Sequence, residues 1–97
     1  MFNVIALEDC PYSIEAVNTL KHLKPKITWV KHENKHKYKT AERSTFPQIS
    51  YTVKTKKGHK DIYIGGLSDL EYLLDTVKQL KSKNYNAQIV VPMLALF

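Results

Sequence analysis

The spacing of apolar residues changes repeatedly along this chain, and each change predicts an element. Phe2-Asn3-Val4-Ile5-Ala6 is a near-continuous apolar run, which predicts a strand buried on both faces. After residue 11 the spacing turns helical: Ile14, Val17, Leu20 and Leu23, with Ala16, form one stripe that Lys24 and Pro25 end. Ile27-Thr28-Trp29-Val30 is β-branched and aromatic and predicts a second strand, parallel to the first through a right-handed crossover. Residues 32–45 are polar and patterned weakly, with room for a short helix. Next, Ile49, Tyr51 and Val53 alternate with Ser50 and Thr52, and Ile62 and Ile64 flank Tyr63. Lys-Lys-Gly-His-Lys at 56–60 supplies the turn between them, so an antiparallel hairpin is expected. Gly65-Gly66 stops the second of these strands. Ser68 then offers an N-cap with Glu71 three residues on, and Leu70, Leu73, Leu74, Val77 and Leu80 stripe a closing helix.

The order β-α-β-(α)-β-β-α predicts an α/β fold: a small four-stranded mixed sheet flanked by helices, in one domain over residues 1–85. Residues 86–97, Asn-Ala-Gln-Ile-Val-Val-Pro-Met-Leu-Ala-Leu-Phe, form an apolar C-terminal extension too short to span a membrane. It is expected to pack on the domain, leaving a monomer, or to join two copies as a dimer.

Composition narrows the class. At 97 residues and 43% hydrophobic content, the chain can bury a modest core without staples. A single cysteine cannot form an internal disulfide, which excludes a stapled secreted scaffold and favours a reducing compartment. The opening Met-Phe-Asn-Val-Ile-Ala-Leu-Glu-Asp has no basic stretch and too short an apolar run for a signal peptide, so a soluble cytoplasmic protein is expected.

The net charge of +6 raises the question of a nucleic-acid partner. Much of the excess gathers in residues 31–43, where Lys31, Lys35, Lys37, Lys39 and Arg43 face only Glu33 and Glu42. Such a run reads as a solvated loop, or as an anion-attracting rim beside a site. Nucleic-acid surfaces interleave aromatics with their cations, and Tyr38 is alone in this run, so no nucleic-acid partner is expected. His32 and His36 have helical spacing but lack a third ligand, and no metal is expected.

The single thiol stands at a chemically telling place. Cys10 falls between the first strand and the first helix, with Pro11 at the first helical position, which makes Cys10 the N-cap. Its sulfur then faces unpaired backbone N–H groups and the positive end of the helix dipole, both of which stabilise a thiolate, the species that attacks disulfides. Glu8 and Asp9 act in the opposite sense.

Three short stretches carry a resemblance. Cys10-Pro11-Tyr12-Ser13, Thr45-Phe46-Pro47-Gln48-Ile49 and Gly65-Gly66-Leu67-Ser68-Asp69-Leu70 resemble, in order and spacing, the three signatures of the glutaredoxin family, over residues 1 to about 82. The resemblance implies a thioredoxin-like fold and a glutathione-dependent thiol–disulfide oxidoreductase whose partners are glutathione and glutathionylated or disulfide-containing proteins. Cys10 would be the nucleophile and Tyr12 would flank the bound tripeptide. Thr45 and Phe46 would precede a cis-proline, Pro47, whose backbone neighbourhood pairs with the cysteinyl part of glutathione. Gly66, Ser68 and Asp69 would hold the γ-glutamyl end, and Lys37, Lys39 or Arg43 the glycyl carboxylate.

The sequence departs from that pattern twice. Ser13 stands where dithiol members carry a second cysteine, by origin or by substitution, so the resemblance implies a monothiol route with free glutathione as the resolving thiol. Leu7-Glu8-Asp9 occupies the stretch where many members carry Lys or Arg. The alternative within the same resemblance is a glutathione-ligated [2Fe–2S] dimer, one cysteine from each chain, against which Pro11-Tyr12-Ser13 differs from the Gly-Phe-Ser typical of cluster carriers.

Overall fold

A computed structural model describes residues 1–82, so the expected extension 86–97 and the end of the expected 1–85 domain lie outside the described residues. Strand β1 (Phe2–Leu7) leads to helix α1 (Pro11–Leu20), which tightens into a 3-10 turn at Lys21–Leu23. Lys24 ends that turn in the left-handed conformation, φ 52°, its N–H bonded to the Lys21 carbonyl. Strand β2 (Lys26–Val30), a 3-10 helix at His32–Lys37, strands β3 (Gln48–Thr55) and β4 (Gly58–Gly65), and helix α2 (Leu67–Ser82) follow. The weak pattern after residue 31 therefore yields 3-10 turns and a loop where a short α-helix had room.

The strands form one mixed sheet in the order β2-β1-β3-β4. β1 is parallel to β2 and antiparallel to β3, and β3 and β4 make the hairpin. This is a small α/β fold with one parallel pair.

One face of the sheet carries the core. Phe2, Val4 and Ala6 alternate along β1 and meet Ala16 and Leu20 of α1, Leu70 of α2, and Ile49 and Tyr51 of β3. Phe2 and Tyr51 pack edge to face, their ring centroids 4.9 Å apart at 77°, a favoured aromatic geometry. The buried face of α1 keeps most of the expected stripe, with Ala16 and Leu20 buried and Val17 and Leu23 packed on the core, but Ser13 joins it and Ile14 is 44% exposed. Ser13 and Ala16 are small enough to seat the helix close on β1. At 100° per residue, turning them inward carries Ile14 out. In α2, Leu70 and Val77 are buried and Leu73 and Leu74 pack on the core as expected, while the Leu80 side chain lies outside the described set.

No helix among the described residues is long and apolar enough to cross a membrane.

Candidate functional site

β1 and β2 are parallel and both end, with the start of β3 and the end of β4, on one edge of the sheet. That edge gathers the residues singled out above. The chain leaves β1 through a tight turn in which the Cys10 N–H donates to the Leu7 carbonyl at 3.3 Å. Asp9 takes positive φ, 60°, a conformation that Asp tolerates better than most residues. Cys10 is then the N-cap of α1, with extended backbone (φ −96°, ψ 117°) and Pro11 behind it, as the sequence predicted. The Cys10 carbonyl accepts from the Ile14 N–H at 3.0 Å, so backbone bonds fix the residue on both sides. Its thiol is free and half-buried, and its side chain makes no capping bond.

Beside it runs a groove of roughly 690 Å3. Tyr12, Thr45, Phe46, Pro47, Gly66, Ser68 and Asp69 all line it, and Leu67 and Glu71 complete its wall. Three separate chain segments thus converge on one groove. Tyr12 is 64% exposed and stands over one side. The Phe46–Pro47 peptide is cis, with Pro47 buried. Cys10 is not itself in the groove wall; it lies at the N-terminus of the helix whose second residue, Tyr12, is. Lys37 and Lys39 are exposed and do not line the groove, and neither does Arg43.

The floor is set by the start of α2, which differs from expectation. Ser68 is not the N-cap: helix geometry begins at Leu67 and Gly66 precedes it. The capping bond comes from Asp69, whose Oδ2 accepts from the Gly66 N–H at 3.0 Å, in place of the Ser68 and Glu71 pair. A carboxylate three residues into the helix reaches back over a glycine more readily than a serine hydroxyl reaches forward, and it also complements the helix dipole. Gly65 is fitted to this arrangement. Its φ is 128°, and a Cβ there would overlap the Asp69 carboxylate. The N–H groups of the first helical turn, at Leu67 and Ser68, have no intrahelical partner and border the groove.

Three supporting roles are not readable in the sequence. Ser13 is fully buried, and its Oγ accepts from the Leu7 N–H at 3.0 Å. The pairing of β1 with β3 stops at Ile5–Gln48, and the Ser13 hydroxyl satisfies the next inward N–H of β1. Gln48, 3% exposed, donates from Nε2 to the carbonyls of Tyr38 (2.9 Å) and Arg43 (3.0 Å). It ties the basic loop to the end of β3. Tyr63 carries the Arg43 guanidinium 4.3 Å from its ring centroid, a cation–π contact. Burial pushes the Tyr63 phenol above its ordinary range; Arg43 pulls it back and Asp69 pushes it further up. A polar residue just after Pro47 and an aromatic at a strand's half-exposed position were the signals available; neither specifies its partner.

The groove's own charges are acidic, Asp69 and Glu71, and its donors are backbone N–H groups at a helix start. By its chemistry such a set offers its carboxylates to an ammonium and its N–H groups to a carboxylate. Arg43 is held on Tyr63, whose phenol also feels the Asp69 charge, and is a candidate for a second carboxylate. Among the described residues no group of three or more His, Cys, Asp and Glu could hold a metal ion. No family model, curated protein or solved structure matches the chain.

Proposed function

We propose that this chain is a glutathione-dependent thiol–disulfide oxidoreductase with a thioredoxin-like fold, working by a monothiol route through Cys10. The observation that carries this reading is the convergence of Tyr12, Thr45, Phe46, Pro47, Gly66, Ser68 and Asp69 on one groove beside the helix that Cys10 caps. The resemblance to the glutaredoxin signatures implies a tripeptide site at these same residues. The strand order and the single parallel pair are compatible with the fold.

The chemistry follows from the placement of the parts. Glutathione is a zwitterion with two carboxylates and one ammonium. Its γ-glutamyl carboxylate meets the Leu67 and Ser68 N–H groups and its ammonium the Asp69 carboxylate, which directs its sulfur toward the N-terminus of α1. The Cys10 thiolate attacks the glutathione sulfur of a protein–glutathione mixed disulfide. A Cys10–glutathione disulfide forms, the protein–glutathione S–S bond breaks, and the protein leaves as a thiolate that takes a proton from water. The thiolate of a second glutathione then attacks the glutathione sulfur on Cys10, releasing oxidised glutathione and restoring the Cys10 thiolate. One free glutathione is consumed per mixed disulfide: the protein sulfur is reduced to a thiol, and the two glutathionyl sulfurs, one from the mixed disulfide and one from the free tripeptide, join as oxidised glutathione. Ser13 is buried and hydrogen bonded to the Leu7 N–H and takes no part in the exchange.

The test is reduction of a glutathionylated peptide, with oxidised glutathione followed through a coupled reductase. The chain is expected to turn over and Cys10→Ser to lose all of that activity. Asp69→Asn keeps an acceptor for the Gly66 N–H but loses the charge facing the ammonium, and is expected to raise the KM for glutathione by on the order of tenfold. Equal rates with and without Cys10 contradict the proposal.

A further inference from the structure

The end of the sheet opposite the groove carries a second feature. β1 accompanies β3 only as far as Tyr51, with a last pair of bonds joining Met1 and Thr52. From Val53 to Lys60 the hairpin pairs with itself alone, Val53 opposite Lys60, Lys54 opposite His59 and Thr55 opposite Gly58. It is a two-stranded arm running past the sheet. Residues 54–60 read Lys-Thr-Lys-Lys-Gly-His-Lys, all exposed, with no acidic residue among them. None of Lys54, Lys56, Lys57, His59 or Lys60 makes an ion pair among the described residues. The neighbouring acid, Asp61, accepts a hydrogen bond from the Thr52 hydroxyl.

Internal stability does not account for this composition. A two-stranded ribbon is marginal in water, and four lysines gathered within seven residues repel one another. Lysine on an edge strand also deters edge-to-edge pairing, which explains Lys60 on β4. It does not explain Lys56 and Lys57, which sit in the turn where there is no ladder to protect.

We propose that the β3–β4 arm is a docking element for the phosphate backbone of a nucleic-acid duplex. A two-stranded ribbon fits the major groove in width. Lysines act on phosphates as point charges, which gives attachment without base readout. A lipid surface would be met better by an apolar or aromatic residue at the tip, and the tip offers only Thr55 and Gly58 between its cations. The expectation of no nucleic-acid partner rested on the run from Lys31 to Arg43 and left this turn out. Five residues of β4, 61–65, separate the arm from the groove at Gly66, about 17 Å at strand rise, so a duplex docked at the tip leaves the groove open. The inference does not depend on what the groove binds.

The test is the anisotropy of a labelled duplex of about 20 base pairs, a length longer than any single-arm footprint, titrated with the chain at several salt concentrations. With four phosphates neutralised, affinity is expected to fall on the order of a hundredfold between roughly 50 and 200 mM salt. The variant combining Lys54→Gln, Lys56→Gln, Lys57→Gln and Lys60→Gln is expected to lose this binding. A charge-matched variant combining Lys21→Gln, Lys31→Gln, Lys35→Gln and Lys78→Gln is expected to keep it within about threefold, since net charge alone steers weakly. Circular dichroism checks that both variants fold. Absence of duplex binding, equal losses in the two variants, or binding to phosphatidylserine vesicles in preference to the duplex would each overturn the proposal.

Discussion

Removing the Ser13 hydroxyl leaves the Leu7 N–H buried with its partner gone. Ser13→Ala is expected to cost about 1–3 kcal/mol in urea unfolding, the range for a buried donor stranded without an acceptor. Because Leu7 also accepts from the Cys10 N–H, the loss loosens the turn that holds the thiol. Iodoacetamide should therefore react with Cys10 at a changed rate in this variant, at neutral pH and without glutathione. Ser13→Cys replaces the oxygen by a weaker acceptor and is expected to fall between the two proteins in stability. A Ser13→Ala protein as stable as the parent would mean that the hydroxyl is dispensable. The identity of Ser13 as a non-cysteine was plain in the sequence, whereas its acceptor role was not. That role depends on where β1 parts from β3, a matter of tertiary register.

Among the elements, the turn from β4 into α2 fixes the groove floor, and its two glycines are not equivalent. Gly65 has positive φ and stands against the Asp69 carboxylate; at Gly66 an added Cβ would lie 3.7 Å from the Pro47 carbonyl oxygen, an ordinary contact. Gly65→Ala is expected to destabilise by about 2–4 kcal/mol, from backbone strain and overlap together. Thermal or urea unfolding should show a loss under about 1 kcal/mol for Gly66→Ala, where neither penalty applies. Similar losses in the two variants would contradict this account of the turn. Sequence periodicity located all four strands and both long helices because each buries a regular face. It misplaced Ile14 on α1, where the small residues Ser13 and Ala16 set the approach, and the cap of α2, where a side chain reaches backward. Short-range competition between capping groups decides that last detail, and hydrophobic spacing carries no record of it.

Across the whole molecule, the two ends of one sheet are specialised: thiol, groove and Gln48-tethered loop at one, a basic arm at the other. The core between them holds Tyr51, and Tyr63 stands under Arg43; burial raises both phenols above their ordinary range. The folded state therefore favours the neutral phenols. Their contribution is present below the ordinary phenol range, near pH 10, and is lost as pH climbs through the raised folded values. Urea midpoints should fall between about pH 9 and 11, and fall less in a variant combining Tyr51→Phe and Tyr63→Phe. An unchanged alkaline slope would show that these phenols do not govern it. The site's three segments were legible in the sequence because each contains short-range markers, a Cys-Pro, a Phe-Pro and a Gly-Gly. The contribution of Gln48 and Tyr63 was not, since it rests on a loop whose own pattern predicts no regular element.

The central claim is that glutathione lies in the groove with its sulfur at Cys10. The most direct measurement is a comparison of backbone amide NMR spectra of the reduced chain and of the chain carrying one glutathionyl group on Cys10. The account predicts that the largest shifts beyond the modified turn fall at Tyr12, Thr45, Phe46, Gly66, Ser68 and Asp69, with the arm at 54–60 unmoved. Shifts confined to residues 8–14, with the groove residues unchanged, would contradict it.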